Sequence, residues 1–299
     1  MLKFQADIRT VFFMILTTVL LVVLWQYGAT LSWGVWIPIY IVQLVMAVSV
    51  SVMTHNHKHL AMWKSKFMNI ITDNWLTMFY GFPVFAWEPT HMNNHHAHIN
   101  TEEDYTRTYR YTEKNNLFTF IIYPFVSSRF QMKPVFDYYI SRWAVSKKKF
   151  FFNTLQLVFL VAFVAIALLL DWRKALVYVI IPQQFSVYSV LIFNYIQHVH
   201  ADEETKYNNS RNMTGTLLNF VLINNGFHTA HHVSPGVHWS LLKEKHYNLA
   251  DKIDPSLNES NFGWYLIRTY ILSVFVPKYR SKSMRLARIA KQQEGTVAA

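Results

Sequence analysis

Four stretches of the chain run almost without charge: residues 10–26, 33–53, 150–170 and 175–197. A helix needs about 20 apolar residues to cross the hydrocarbon core of a bilayer, so each stretch predicts a transmembrane helix. The first two are separated by a short uncharged loop and the last two by DWRK at 171–174. That spacing predicts two tight helical hairpins. The first stretch follows Lys3 and Arg9 much as a signal peptide would, but it leads into a second apolar segment without a small-residue cleavage site. A span is the better reading. Shorter apolar stretches at 75–87, 117–126 and 262–276 are too brief or too interrupted to cross, and suit helices lying in the interface. Pro182, followed by Gln183 and Gln184, interrupts the fourth span. It predicts a kink whose freed carbonyls find partners on neighbouring helices, or else a bend that shapes a substrate tunnel.

Composition agrees with spans rather than an oily soluble core. Only 15% of residues are charged, where soluble domains carry about a quarter. No linker-like stretch and no internal repeat divides the chain, which predicts a single domain over 1–299. Cysteine is absent, which excludes a disulfide framework and any thiolate-held zinc or iron–sulfur site.

The net charge of +11 gives the spans a direction. Two Lys or Arg precede the first span, twelve fall in 54–149 and twelve in 201–299, whereas the outer loops hold only Arg173 and Lys174. The positive-inside rule therefore places both termini and the segments 54–149 and 198–299 in the cytoplasm. No nucleic-acid recognition motif accompanies this charge, and basic flanks beside spans face an anionic leaflet instead. The C-terminal run KYRSKSMRLARIAKQQ fits a basic helix on such headgroups, or a surface that attracts an acidic carrier or electron donor.

All 14 histidines then fall at or beyond the cytoplasmic ends of the second and fourth spans. THNHKHL follows the second span, and a helix continued by one turn puts His55 and His59 on one face, with His57 elsewhere. In HMNNHHAH, helical geometry places His91 and His95 on one face and His96 about 100° away, so neighbouring histidines can serve two metal ions. NNGFHTAHH repeats the logic with His228, His231 and His232. FNYIQHVH, at the end of the fourth span, sets Asn194 and His198 four residues apart. Imidazoles crowded this closely repel once protonated unless a cation organises them, so metal binding is expected. Nine imidazoles are too many for one zinc, which closes at four ligands, and two ions remain. Imidazole suits Fe, Cu, Zn and Ni alike, so ligand type alone does not choose the metal.

The order HxxxH, HxxxHH, NxxxH, HxxHH across two membrane hairpins resembles the membrane fatty acid desaturase superfamily, over about residues 10–239. That superfamily includes alkane and fatty acid hydroxylases and carotenoid-modifying enzymes. The resemblance implies an all-α integral membrane protein, with four spans in two hairpins and a cytosolic helical cap holding a di-iron site. It implies His55, His59, His91, His95, His96, His198, His228, His231 and His232 as iron ligands, with Asn194 holding an iron-bound water. Dioxygen is the implied co-substrate, a fatty acyl chain at the bilayer the substrate, and double-bond formation the reaction. NYIQH is also similar to the NYxEH stretch of alkane hydroxylases, though THNHKHL lacks the glutamate of their first box. NGFHTAHH with SPGVHWSLL looks most like bacterial acyl desaturase-type sequences, some of which hydroxylate a fatty acid or decarboxylate it to a terminal alkene. No HPGG haem motif is present, so an external electron donor of ferredoxin, rubredoxin or cytochrome b5 type is implied.

Two readings from other classes are weaker. A zinc hydrolase lacks its H-E-x-x-H, and a metal transporter would line its spans with histidine instead of flanking them. Among the remaining residues, Asp202, Glu203 and Glu204 read as solvated acids, with the orienting of a ligand imidazole by one of them as the alternative. The aromatic stretch 75–87 and the fourth span are candidates for the tunnel wall, with ordinary packing the plainer reading. His57, His98, His200, His238 and His246 fall outside the pattern and read as structural or solvent-facing, His200 least clearly.

Overall fold

The computed structural model describes residues 1–297, nearly all in helices and the turns between them. The chain forms two compact units, each gathered from separated segments: Met1–Pro89, Lys133–Val190 and Val221–Ile223 in the first, the rest in the second.

In the first unit, α1 (Ile8–Tyr27) and α2 (Trp33–His59) pack on one another. Both are inside-out by the standard of a soluble helix. On α1 the apolar Ile8, Phe12, Ile15, Val19 and Val22 are exposed along one stripe, while Thr10 and Thr17 are buried. Such an exposed apolar stripe at helical spacing suits a membrane. At 1.5 Å per residue α2 is about 40 Å long, more than the roughly 30 Å of a hydrocarbon core.

α3 (Lys66–Tyr80) starts at Ser65, which caps the Met68 amide, and stops at Gly81 with φ +81°. A side chain there would collide with Gln183, so only glycine closes the turn. α4 covers Leu117–Val145, far beyond the short apolar stretch that marked its start, and contributes residues to both units.

Three helical segments are long and apolar enough to cross a membrane: Gln5–Tyr27, Trp33–His59 and Lys147–His198. The third is interrupted. Within α5 (Lys147–Ala175), Asp171 has extended backbone (φ −164°, ψ 102°), and its carboxylate accepts the amides of Arg173 and Lys174. That is the arrangement of an N-cap, so one helix ends and another begins at the predicted loop. Phe163, Val164 and Ala167 before the break pack with Ala175 and Val179 after it. On one straight helix, residues 163 and 179 would stand about 24 Å apart, so the chain turns back here.

Beyond the break, a π-helical turn (Leu176–Ile180) leads into α6 (Ile181–His198). Pro182 cannot donate to the carbonyl a turn earlier. The Tyr178 carbonyl instead accepts from Gln43 Nε2 at 2.8 Å, and the Val177 carbonyl from the Tyr40 hydroxyl at 2.9 Å. The freed carbonyls thus find their predicted partners on a neighbouring helix. The Tyr178 hydroxyl accepts from Trp36 at 2.9 Å and lies against Gly28, where a Cβ would meet it at 2.3 Å.

The second unit holds the loop after His98, the end of α6, a two-residue parallel pair of strands (Asn212–Met213 with Asn258–Glu259), the helix α7 (His228–Val233), and α8 (Met284–Val297). Ala201, Ile253 and Leu257 form its small apolar core, with Met284 of α8 packed against it.

Candidate metal centre

The first unit presents one pair of candidate ligands. His55 and His59, in the last two turns of α2, have ring centroids 4.7 Å apart. The i, i+4 expectation holds. The His55 ring also stacks on Trp87 at 5.3 Å and 9°, which places one residue of the aromatic stretch against a candidate ligand. His57 points away: its Nδ1 accepts the Met62 amide, and its Nε2 lies 3.6 Å from Asp73.

The second unit gathers seven histidines into two groups. In one, ring nitrogens of His95, His198, His228 and His232 all lie within 4.8 Å of one another, and all four side chains are buried. Three Nε2 atoms form a triangle, with His198–His228 at 3.0 Å, His228–His232 at 3.0 Å and His198–His232 at 3.2 Å. In the other, His96 Nε2 lies 3.1 Å from both His91 Nε2 and His231 Nε2.

This division corrects the sequence reading at one point. An α-helix would pair His91 with His95. Residues Glu88–His95 instead form a π-helix, in which partners stand five apart. His91 therefore meets His96, and His95 turns to the other group. In α7 ordinary spacing applies, so His228 and His232 share a group while His231 leaves for the other. Adjacent histidines serve different groups in both boxes, as expected.

Proton positions can be followed outward from the rings. His198 Nδ1 lies 2.9 Å from the Asn209 carbonyl, which can only accept. His95 Nδ1 lies 2.8 Å from Asp104 Oδ2. Each ring therefore carries hydrogen on Nδ1 and turns its Nε2 into the group. His95 Nε2 is buried and has no hydrogen-bond partner. Burial first, then the neighbouring imidazoles of His228, His96, His198 and His95, push His232 well below the ordinary imidazole range, so it is neutral. Converging neutral lone pairs in a buried space repel one another unless a cation takes them. Nitrogens each about 2.1 Å from one ion stand about 3.0 Å apart at a right angle, which matches the observed separations. The donor set fits metal ions.

Asp104 is the functional residue the sequence did not reveal. It is fully buried, and besides His95 it accepts from the Asn100 amide at 2.7 Å and the Thr106 amide at 2.7 Å. Burial alone would raise this carboxyl, but the His95 imidazole and the two amides outweigh it and hold it well below the carboxylate range. The three acids that follow His198 in sequence turn to arginines instead of an imidazole. Asp202, Glu203 and Glu204 pair with Arg288, and Glu203 also with Arg285, both from α8. Those two arginines of the basic C-terminal run thus face inward to acids instead of to headgroups.

Asn194 is held through its amide nitrogen. Its Nδ2 donates to the Tyr123 hydroxyl at 2.6 Å and the Thr106 carbonyl at 3.3 Å. His200 is held between the Glu113 carbonyl and Ser281, and His238 caps a short helix at Ser240, both structural roles. His246 is buried against Phe227.

Comparison with curated proteins gave no match, and neither did comparison with solved structures. The fatty acid desaturase family matches residues 31–264, a span that contains every histidine of both groups as well as His55 and His59. With histidine groups that could hold metal and apolar helices suited to a membrane, that match shows that the chain belongs to the fatty acid desaturase family.

Proposed function

We propose that the protein is a dioxygen-dependent di-iron oxidoreductase that introduces a double bond into a fatty acyl chain at the membrane. The observation that carries this reading is the buried convergence of His95, His198, His228 and His232, two of them with their outer nitrogens tied to fixed acceptors. One ion takes these four imidazoles. A second takes His91, His96 and His231, and the box order of the family adds His55 and His59. When bound, iron supplies an oxidant able to abstract hydrogen from an unactivated methylene, which no side chain can deprotonate.

The chain's own residues hold ligands and exclude water. Asp104 and the Asn209 carbonyl fix the orientation and tautomer of His95 and His198, as outer partners of metal-bound histidines do. The Asn194 amide, anchored on Tyr123, is suited to hold a water at the centre through its remaining oxygen. The four apolar helices cross the bilayer in two hairpins, with both termini and the metal centre on the cytoplasmic side, as the Lys and Arg distribution requires. The chain works as a single domain. Electrons come from an external carrier of ferredoxin, rubredoxin or cytochrome b5 type.

Metal analysis of purified protein, with mass spectrometry of products after feeding saturated acyl chains, tests the proposal. Two irons per chain and an alkene of unchanged carbon number are expected. An alcohol or a terminal alkene one carbon shorter would replace desaturation by hydroxylation or decarboxylation. Zinc alone after iron-replete expression would overturn the di-iron reading.

A further inference from the structure

Arg211 is 5% exposed, and its Nε and Nη1 are buried without a hydrogen-bond partner. Among the described residues no carboxylate lies within ion-pair distance of it. A buried guanidinium without a counter-ion is one of the costliest features a fold can keep, and such charges are otherwise paired. Its surroundings hold further unused donors. The Tyr265 ring lies 5.3 Å from the guanidinium carbon, with the Tyr270 ring edge-on to it at 6.1 Å. Both tyrosine hydroxyls are buried and have no hydrogen-bond partner other than one another. Burial first, then the neighbouring Tyr265, pushes Tyr270 well above the phenol range, so it stays protonated and can donate. The nearby acid Glu259 is engaged by Arg268, which stands over the same Tyr265 ring.

We propose that Arg211, Tyr265 and Tyr270 form a binding site for a monovalent carboxylate, the head group of a free fatty acid. One unpaired positive charge and two neutral donors match a carboxylate, which accepts up to four hydrogen bonds and carries a single charge. A phosphate brings nearly two charges against the single charge of this site, and a thioester or ester brings no charge at all. The site is tied to the metal centre through the backbone: the Arg211 amide donates to the carbonyl of Gln197, beside His198, and Asn209 accepts the His198 proton. The inference rests on the reading of the protein as an acyl-chain oxidoreductase, and it names the form in which the chain arrives.

The experiment measures binding of dodecanoate, methyl dodecanoate, dodecanoyl-coenzyme A and inorganic phosphate to the iron-loaded protein in nanodiscs. Wild type should bind dodecanoate at least about tenfold tighter than its methyl ester. Arg211→Met should bring the two within about twofold while iron content holds and the melting temperature stays level or rises, because an uncompensated charge has gone. Tyr270→Phe should reduce the acid preference about threefold. An acid preference that survives Arg211→Met overturns the site, as does a fall in its melting temperature and iron content, which would assign Arg211 a structural role. Displacement of dodecanoate by phosphate or by the coenzyme A thioester at equal concentration overturns the carboxylate assignment. A hydroxylated product from wild type would overturn desaturation and leave the acid preference of Arg211 untouched.

Discussion

His95 Nδ1 lies 2.8 Å from Asp104 Oδ2 with both side chains shut away from solvent, and two backbone amides hold the carboxylate in place. An imidazole oriented this firmly would lose little freedom on binding a metal. Asp104→Ala should therefore weaken iron binding by about 10–100-fold. Asp104→Asn, which keeps the shape and loses the charge, should fall between that variant and wild type. Iron titration of the purified variants checks this, and unchanged affinity in Asp104→Ala would remove Asp104 from the centre.

Asp104 was not legible in the sequence for a physical reason. It sits in TEEDYT, which reads as a solvated acidic loop, and only the fold shows that Asn100 and Thr106 turn the loop inward around it. The acids that looked better placed, Asp202–Glu204, are claimed by arginines about 80 residues later, a pairing no local pattern displays. The long apolar helices, the break at Asp171 and the partners of the carbonyls freed by Pro182 were legible because each follows from apolar patterning or from backbone hydrogen bonding. The candidate ligands were legible too, but not their partition: one π-helical turn exchanges His95 for His96 as the partner of His91.

That partition predicts which metal each histidine holds. His231 Nε2 stands 3.1 Å from His96, whereas His228 Nε2 stands 3.0 Å from His198 and His232. His231→Ala and His228→Ala should each lower iron from the proposed two per chain to about one, and the double variant should hold almost none. Both single variants should lose activity. Two single variants that each lose all iron, or a double variant that keeps one, would show that the groups are not separate sites.

The kink at Pro182 makes a coupling prediction. Gln43 Nε2 supplies the hydrogen bond to the Tyr178 carbonyl that Pro182 cannot give. Gln43→Leu leaves that carbonyl buried and unpaired and should cost about 1–3 kcal/mol. In a Pro182→Ala background the restored backbone amide can reach the same carbonyl, so the cost of Gln43→Leu should shrink by about 0.5 kcal/mol or more. Denaturation of the four proteins in detergent gives the coupling directly, and strictly additive effects would refute the assignment.

Glu88 opens the π-helix of the second histidine box and is held by Lys58 at 2.9 Å, by Lys149 at 3.4 Å and by the Tyr138 hydroxyl. Burial works to raise its carboxyl, but the lysines and the tyrosine prevail and bring it down to about 2 from 4.5. Between those values the folded protein binds fewer protons than the unfolded chain, so stability falls as the pH falls. The contribution is complete above about pH 5 and is lost on approach to about pH 2. Glu88→Gln should lower stability at pH 7 by about 1 kcal/mol, since Lys58 loses its partner, and the difference from wild type should narrow steadily below pH 4.5. Melting temperatures across pH 3–8 test this; curves for the two proteins that run parallel through the acid limb would show that Glu88 does not set it.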